Sequence, residues 1–124
     1  MDNLQIAKTK YTMGINFNKD TGDLDMAGSS YPENALDFFN PIINWIKNYI
    51  SEVNKQMVMN IRLNYLNTSS TKCILDIFEI LDQYYKSGGD VKINWYYAED
   101  DEDIKETGEE LGEDLEFPIA FISY

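Results

Sequence analysis

The chain contains no histidine. That removes imidazole bases, most zinc sites and every Ser-His or Cys-His nucleophile pair. A single cysteine, Cys73, cannot close an internal disulfide, which points to a reduced, cytoplasmic compartment. With no base to activate it, Cys73 reads as a small buried hydrophobe. Positive charge is scarce: ten Lys and Arg stand against 22 Asp and Glu, a net charge of −12. No basic stripe exists to neutralise phosphates, so nucleic acid is not an expected partner. No apolar run approaches the roughly 18 residues that a spanning helix needs, and Met1-Asp2-Asn3-Leu4-Gln5 lacks the features of a signal peptide. Membrane insertion is not expected either. A Gly-rich phosphate loop is missing, and no cofactor or metal is implied.

What is present suffices for one packed domain over residues 1–124, with 44% hydrophobic and 14% aromatic residues. Leu4-Gln5-Ile6, Ile15-Asn16-Phe17 and Leu24-Asp25-Met26 alternate like short strands. The polar loop ending in Gly22 predicts a hairpin between the last two. Residues 28–34 read as irregular, with Tyr31-Pro32 shaping a turn. Leu36, Phe39, Ile43, Ile46, Ile50 and Val53 form a helical stripe, with Pro41 placed in a first turn capped by Asn40, or at a kink. Residues 57–65 have period two, with Met57, Met59, Ile61, Leu63 and Tyr65 on one face. Helical period returns at Cys73, Ile74, Ile77, Phe78, Leu81, Tyr84 and Tyr85 and stops at Gly88-Gly89. Residues 91–97 make a further strand, Ile104, Leu111 and Leu115 a further helix, and residues 117–124 a last strand. Trp45 and Trp95 are expected in the core. The resulting order is β-β-β-α-β-α-β-α-β.

This order predicts an α/β (α+β) fold of two layers. A mixed sheet begins with an N-terminal antiparallel hairpin and continues through βαβ units, with helices mainly on one face. The polar faces of the two best-patterned strands imply that the other face is partly wet.

Charge is concentrated late in the chain. Residues 99–116 carry eleven acids against one base, Lys105. Such a block is a solvated helix face or a surface for a basic partner. An EF-hand is excluded, because Asp100-Asp101-Glu102-Asp103 lacks the alternating ligands and the glycine of that loop. Earlier, Thr68-Ser69-Ser70-Thr71 lies where a strand gives way to a helix. One of Thr68, Ser69 or Ser70 is expected to cap that helix, yet one cap explains only one hydroxyl. A helix start also suits a phosphate, because its free N–H groups and dipole favour negative charge. Lys72, the one cation nearby, is either solvated or placed to pair with such a phosphate. A right-handed crossover between the strands at 57–65 and 91–97 would put Thr68 and residues 99–103 on one rim of the sheet.

These strings together carry a family resemblance. Ser30-Tyr31-Pro32-Glu33-Asn34, Phe38-Phe39 with Pro41, Tyr65-Leu66-Asn67-Thr68-Ser69-Ser70, Trp95-Tyr96-Tyr97, Asp100-Asp101-Glu102-Asp103 and Gly108-Glu109-Glu110 occur in order along nearly the whole chain. In them the chain resembles the SiaC family of bacterial regulatory phosphoproteins. The resemblance implies a non-enzymatic partner-switching protein with a STAS-like fold, similar to anti-sigma-factor antagonists. It implies phosphorylation of Thr68, with Ser69 and Ser70 as alternates, by a cognate Ser/Thr kinase, and reversal by a PP2C-type phosphatase. The effector it implies is a diguanylate cyclase that controls cyclic-di-GMP and biofilm formation. The expected partner-binding residues are Tyr31, Pro32, Glu33, Asn34, Asn67, Lys72, Asp100, Asp101, Glu102 and Asp103. The competing expectation is a Mg-dependent phosphotransfer or hydrolytic enzyme built on Asp100–Asp103.

Overall fold

The nine expected elements all form, in the expected order. The computed structural model describes residues 1–124: β1 (Leu4–Ile6), β2 (Gly14–Phe17), β3 (Asp23–Ser30), α1 (Ala35–Glu52), β4 (Met57–Leu66), α2 (Thr68–Lys86), β5 (Val91–Tyr97), α3 (Glu102–Leu111) and β6 (Ile119–Ser123). They make one six-stranded sheet in the order β1-β2-β3-β4-β5-β6. The first three strands pair antiparallel, and β3 through β6 pair parallel. Strand order never reverses. Successive crossovers of one hand therefore lay every helix on the same face. Accordingly α1 packs on α2, and α2 on α3.

Between the helices and the sheet lies a core of 27 buried residues. In β4 the alternation expresses itself directly, with Met57, Met59, Ile61 and Leu63 buried and Arg62 and Asn64 exposed. Trp95 is fully buried, donating its indole N–H to the Ile104 carbonyl at 3.0 Å. It lies so close to α3 that a Cβ on Gly108 would meet its ring at 2.6 Å. Trp45 is buried too, and its indole N–H reaches the Asp2 carbonyl at 2.7 Å. The β2–β3 hairpin turns through Gly22 at φ +76°, pressed against the Gln56 carbonyl, where no other residue fits.

Several boundaries and faces differ from the sequence pattern. Helix α1 begins at Ala35, capped by Asn34 and not by Asn40, so Pro41 falls inside it. Pro41 and Asp37 are both exposed, so the Asp37 carbonyl that the proline leaves unbonded faces solvent. The buried face of α1 is Ala35, Phe39, Ile42, Trp45, Ile46 and Tyr49. Leu36, expected in the stripe, is 63% exposed, because the buried face runs through Ala35, Phe39, Ile42, Ile46 and Tyr49 and leaves Leu36, like the half-buried Ile43 and Ile50, at its flank. Ser29 and Ser30 belong to β3, which continues past a register shift at Gly28/Ser29. Leu115 lies beyond the end of α3. Finally, Tyr65 is 54% exposed and Tyr85 41% exposed. Both keep the periodicity of core positions but lie at the ends of their elements, where each is covered on one side only, Tyr65 by Tyr31 and Tyr85 by Phe117.

Candidate functional site

Because β3, β4, β5 and β6 are parallel, their carboxyl ends share one edge of the sheet. Helices α1, α2 and α3 each follow one of those strands, so all three helix starts are also there. Each start has its own cap. Asn34 Oδ1 accepts from the Asp37 N–H at 3.2 Å, Asn67 Oδ1 from the Ser70 N–H at 2.9 Å, and Asp101 Oδ1 from the Ile104 N–H at 3.1 Å. Three of the expected partner-binding residues thus have side-chain oxygens already engaged in helix starts.

At α2 the cap is Asn67, not a member of the hydroxyl run that follows it. An amide side chain in extended backbone geometry reaches the third N–H of the helix as well as a hydroxyl does. This sorts the four hydroxyls. Ser70 is fully buried and its oxygen accepts from Ser30 Oγ at 2.8 Å. Thr71 Oγ1 donates back to the Asn67 carbonyl at 2.9 Å. Ser69, exposed, reaches Asn67 Oδ1 only at 3.5 Å. Thr68 is the first helical residue, exposed, and its hydroxyl takes no part in these bonds. The first turn of α2 also carries no acid, whereas α1 has Asp37 and α3 has Glu102 and Asp103. Lys72 is exposed one turn along from Thr68.

Residues 99–103 come to the same edge as Thr68, at the carboxyl end of β5. Glu102 and Asp103 there complement the dipole of α3, behind the cap provided by Asp101. The far end of the acidic block is held elsewhere. Asp82, buried on α2, accepts from the Glu116 N–H at 2.9 Å and pairs with Lys86 at 3.1 Å. The Glu116 bond and, secondarily, Lys86 hold its carboxyl below the usual carboxylate range against the opposing effect of burial. Burial, with Asp76 nearby, pushes the Cys73 thiol up, as suits a packing residue. Asp100–Asp103 do not gather into a group that could hold a metal ion.

An aromatic cluster on this edge was not legible in the sequence. Tyr31 packs edge-on against Tyr11 on one side and Tyr65 on the other, with ring centroids 5.2 and 5.4 Å apart. Tyr11 reaches the edge because its carbonyl accepts from the Tyr31 N–H at 2.9 Å. Around the corner, on the face without helices, the chain's one arginine, Arg62, stacks on Tyr96 and Tyr124 at 4.9 and 4.8 Å. Beside it Asp25, Asn60 and Asn94 form a hydrogen-bonded row at 2.8 and 2.9 Å.

A family model described as SiaC family regulatory phosphoprotein matches residues 6–124. An uncharacterized protein of Pseudomonas aeruginosa (strain UCBPP-PA14) is 36% identical over 120 residues, 97% of this chain and 95% of that protein. The structure of SiaC of Pseudomonas aeruginosa superposes with a TM-score of 0.94 at 34% identity, covering 100% of both chains. A chain from the crystal structure of the diguanylate cyclase SiaD in complex with its activator SiaC, also from Pseudomonas aeruginosa, superposes with a TM-score of 0.94 at 35% identity. It covers 98% of this chain and 99% of that one.

Proposed function

The chain belongs to the SiaC family of regulatory phosphoproteins, and from that premise we propose that it is a non-catalytic partner switch. Unphosphorylated, it binds and activates an effector, a diguanylate cyclase; what supports this is that the Pseudomonas aeruginosa SiaC is an activator found in complex with the diguanylate cyclase SiaD. A cognate Ser/Thr kinase phosphorylates Thr68 and releases the effector; a PP2C-type phosphatase restores binding. Cyclic-di-GMP output and biofilm formation follow the state of that one hydroxyl.

The observation that carries this reading is the sorting of the hydroxyls at the start of α2. Asn67 does the capping, Ser70 is sealed against Ser30 and Thr71 bonds backward, so Thr68 is left exposed and uncommitted. A phosphate on it would add about −1.5 to −2 charge at a helix start that has no acid of its own. The helix would be kept while the surface changed. Ser69 is the remaining accessible alternate; Ser70 offers a kinase no approach. Tyr31, Pro32, Glu33 and residues 100–103 border the contact surface in this reading, and Lys72 steadies the phosphate.

The test is calorimetric titration of a diguanylate cyclase of the same organism with three preparations: the unmodified chain, the chain phosphorylated at Thr68, and Thr68→Ala. The unmodified chain and Thr68→Ala should bind alike, and the phosphorylated chain at least tenfold more weakly. Equal binding by all three would remove Thr68 as the switch.

A further inference from the structure

Large apolar side chains that are more than half exposed number four: Leu36 at 63%, Tyr65 at 54%, Tyr11 at 53% and Tyr124 at 52%. Leu36, Tyr65 and Tyr11 lie on one edge of the sheet, and Tyr124 begins at that edge but turns its ring onto Arg62 on the face without helices. Leu36 is in the first turn of α1, Tyr65 near the end of β4, Tyr124 just past the end of β6, and Tyr11 bonded to Tyr31 past the end of β3. Scattered exposed hydrophobics are ordinary, but their collection on one edge marks a contact surface. The same edge carries Thr68. Two bonds fix the relation: the Asn67 N–H donates to the Ser30 carbonyl at 3.0 Å, and Ser30 Oγ donates to Ser70 Oγ at 2.8 Å. Tyr31 directly follows Ser30, and Thr68 directly follows Asn67. The Tyr11–Tyr31–Tyr65 cluster and the Thr68 hydroxyl therefore flank one junction of β3, β4 and α2.

Resting on the reading of Thr68 as the switch, we infer that the effector is gripped through an apolar contact on Tyr11, Tyr31, Tyr65 and Leu36, and that phosphate at Thr68 releases it by desolvation within that contact, not by charge repulsion. The occupant is an effector segment presenting apolar side chains flanked by basic ones. Charge chooses it: Lys10 lies over the Tyr11 ring at 5.8 Å and Lys72 one turn from Thr68, but the acids outnumber them, with Glu33 and residues 99–103 on the same edge of a chain of net charge −12. A second copy of the chain would bring one acidic edge against another. The sign of the electrostatics then fixes the mechanism. By charge alone, a phosphate would draw a basic-flanked partner closer. Release must instead come from the cost of burying a dianion beside tyrosine rings, and from the water it retains there.

Salt separates the two mechanisms, because screening weakens repulsion between exposed charges but leaves a local desolvation cost in place. Binding of the unmodified chain, the chain phosphorylated at Thr68, Tyr65→Ala and Leu36→Ser to the diguanylate cyclase should be measured at about 0.1 M and about 1 M salt, where the Debye length falls from about 10 to about 3 Å. Thermal melts of each variant check folding. The expected result is that the fold-loss on phosphorylation is at least as large at high salt as at low, because salt screens the phosphate's attraction for the basic flanks but not the desolvation cost. Tyr65→Ala should lose about tenfold or more, the size of an aromatic hot spot, while melting like the parent. Recovery of binding by the phosphorylated chain at high salt would overturn the desolvation mechanism and leave the switch standing. Parental affinity in both Tyr65→Ala and Leu36→Ser would overturn the apolar grip. No effect of phosphate at either salt concentration would overturn Thr68 as the switch, and the release mechanism with it.

Discussion

The two edges of the parallel sheet are built for different purposes. At the amino ends of β4 and β5 the chain is bolted together. Tyr49 donates its hydroxyl to the Gln56 carbonyl at 2.9 Å, and Tyr84 donates to the Lys55 carbonyl at 2.8 Å. Burial pushes both phenols up, so both remain donors at any physiological pH. Gly89 lets the backbone pass the Tyr84 ring, where a Cβ would meet it at 2.5 Å. Gly22 does the same against Gln56, and Asp82 ties α2 to residue 116. At the carboxyl ends the elements open outward: three helix starts, a tyrosine cluster and one uncommitted hydroxyl. One edge gives stability; the other, in the function proposed above, gives recognition. Substitutions should therefore separate into two classes, those that melt the protein and those that alter whom it binds.

Gly22→Ala should show the largest effect. Positive φ and the neighbouring Gln56 carbonyl together should cost about 2–4 kcal/mol, read by urea unfolding. The molecules that remain folded should bind effector normally; a changed affinity would blur the division. Asp82→Ala comes next, at about 1–3 kcal/mol, because the Glu116 N–H loses its acceptor. Its pH signature is distinctive. The folded carboxyl sits below the unfolded value of about 3.9, so its contribution is complete above that pH and is lost as pH falls through the folded value. Acid titration of stability below about pH 4 should accordingly be steeper in the parent than in Asp82→Ala.

On the other edge the stability effects should be small and the binding effects large. Asn67→Ala should lose about 1 kcal/mol as a cap, whereas Thr68→Ala should stay within about 0.5 kcal/mol of the parent. If Thr68→Ala were the more costly of the two, the hydroxyl would be structural. Smallest of all, Lys72→Met should reduce the unfolding free energy of the phosphorylated chain by only a few tenths of a kcal/mol, about 0.2–0.5, the worth of a pair one turn apart on a helix, read by urea unfolding.

This division was only half visible in the sequence. Residues 57–63 and 91–97 are marked by strict alternation, and the later helix by its stripe ending at Gly88-Gly89, so the parallel core of the fold could be read. Gly22 was legible because a polar hairpin loop needs positive φ. The candidate edge was less so. Thr68 stood out as a hydroxyl at a helix start, but the choice among four hydroxyls required knowing that Asn67 caps and that Ser30, forty residues earlier, seals Ser70. Tyr65 carries core periodicity, and periodicity says nothing about where the facing layer ends; Leu36 fits a stripe of threes and fours as well as Ala35 does, and only the packing shows that Ala35 is the buried one. Tyr11 belongs to no element and reaches the edge only through a pairing with Tyr31. Pro41 misled for a related reason: proline favours a first turn, but an exposed helix face tolerates the unbonded carbonyl it creates.

Hydrogen exchange on the bound complex tests the account most directly. With a diguanylate cyclase bound, amides at residues 31–36, 65–72 and 99–104 should exchange more slowly, while those at 54–56 and 83–90 keep their free rates. Protection at 54–56 and 83–90, with residues 65–72 unchanged, would place recognition on the wrong edge and contradict it.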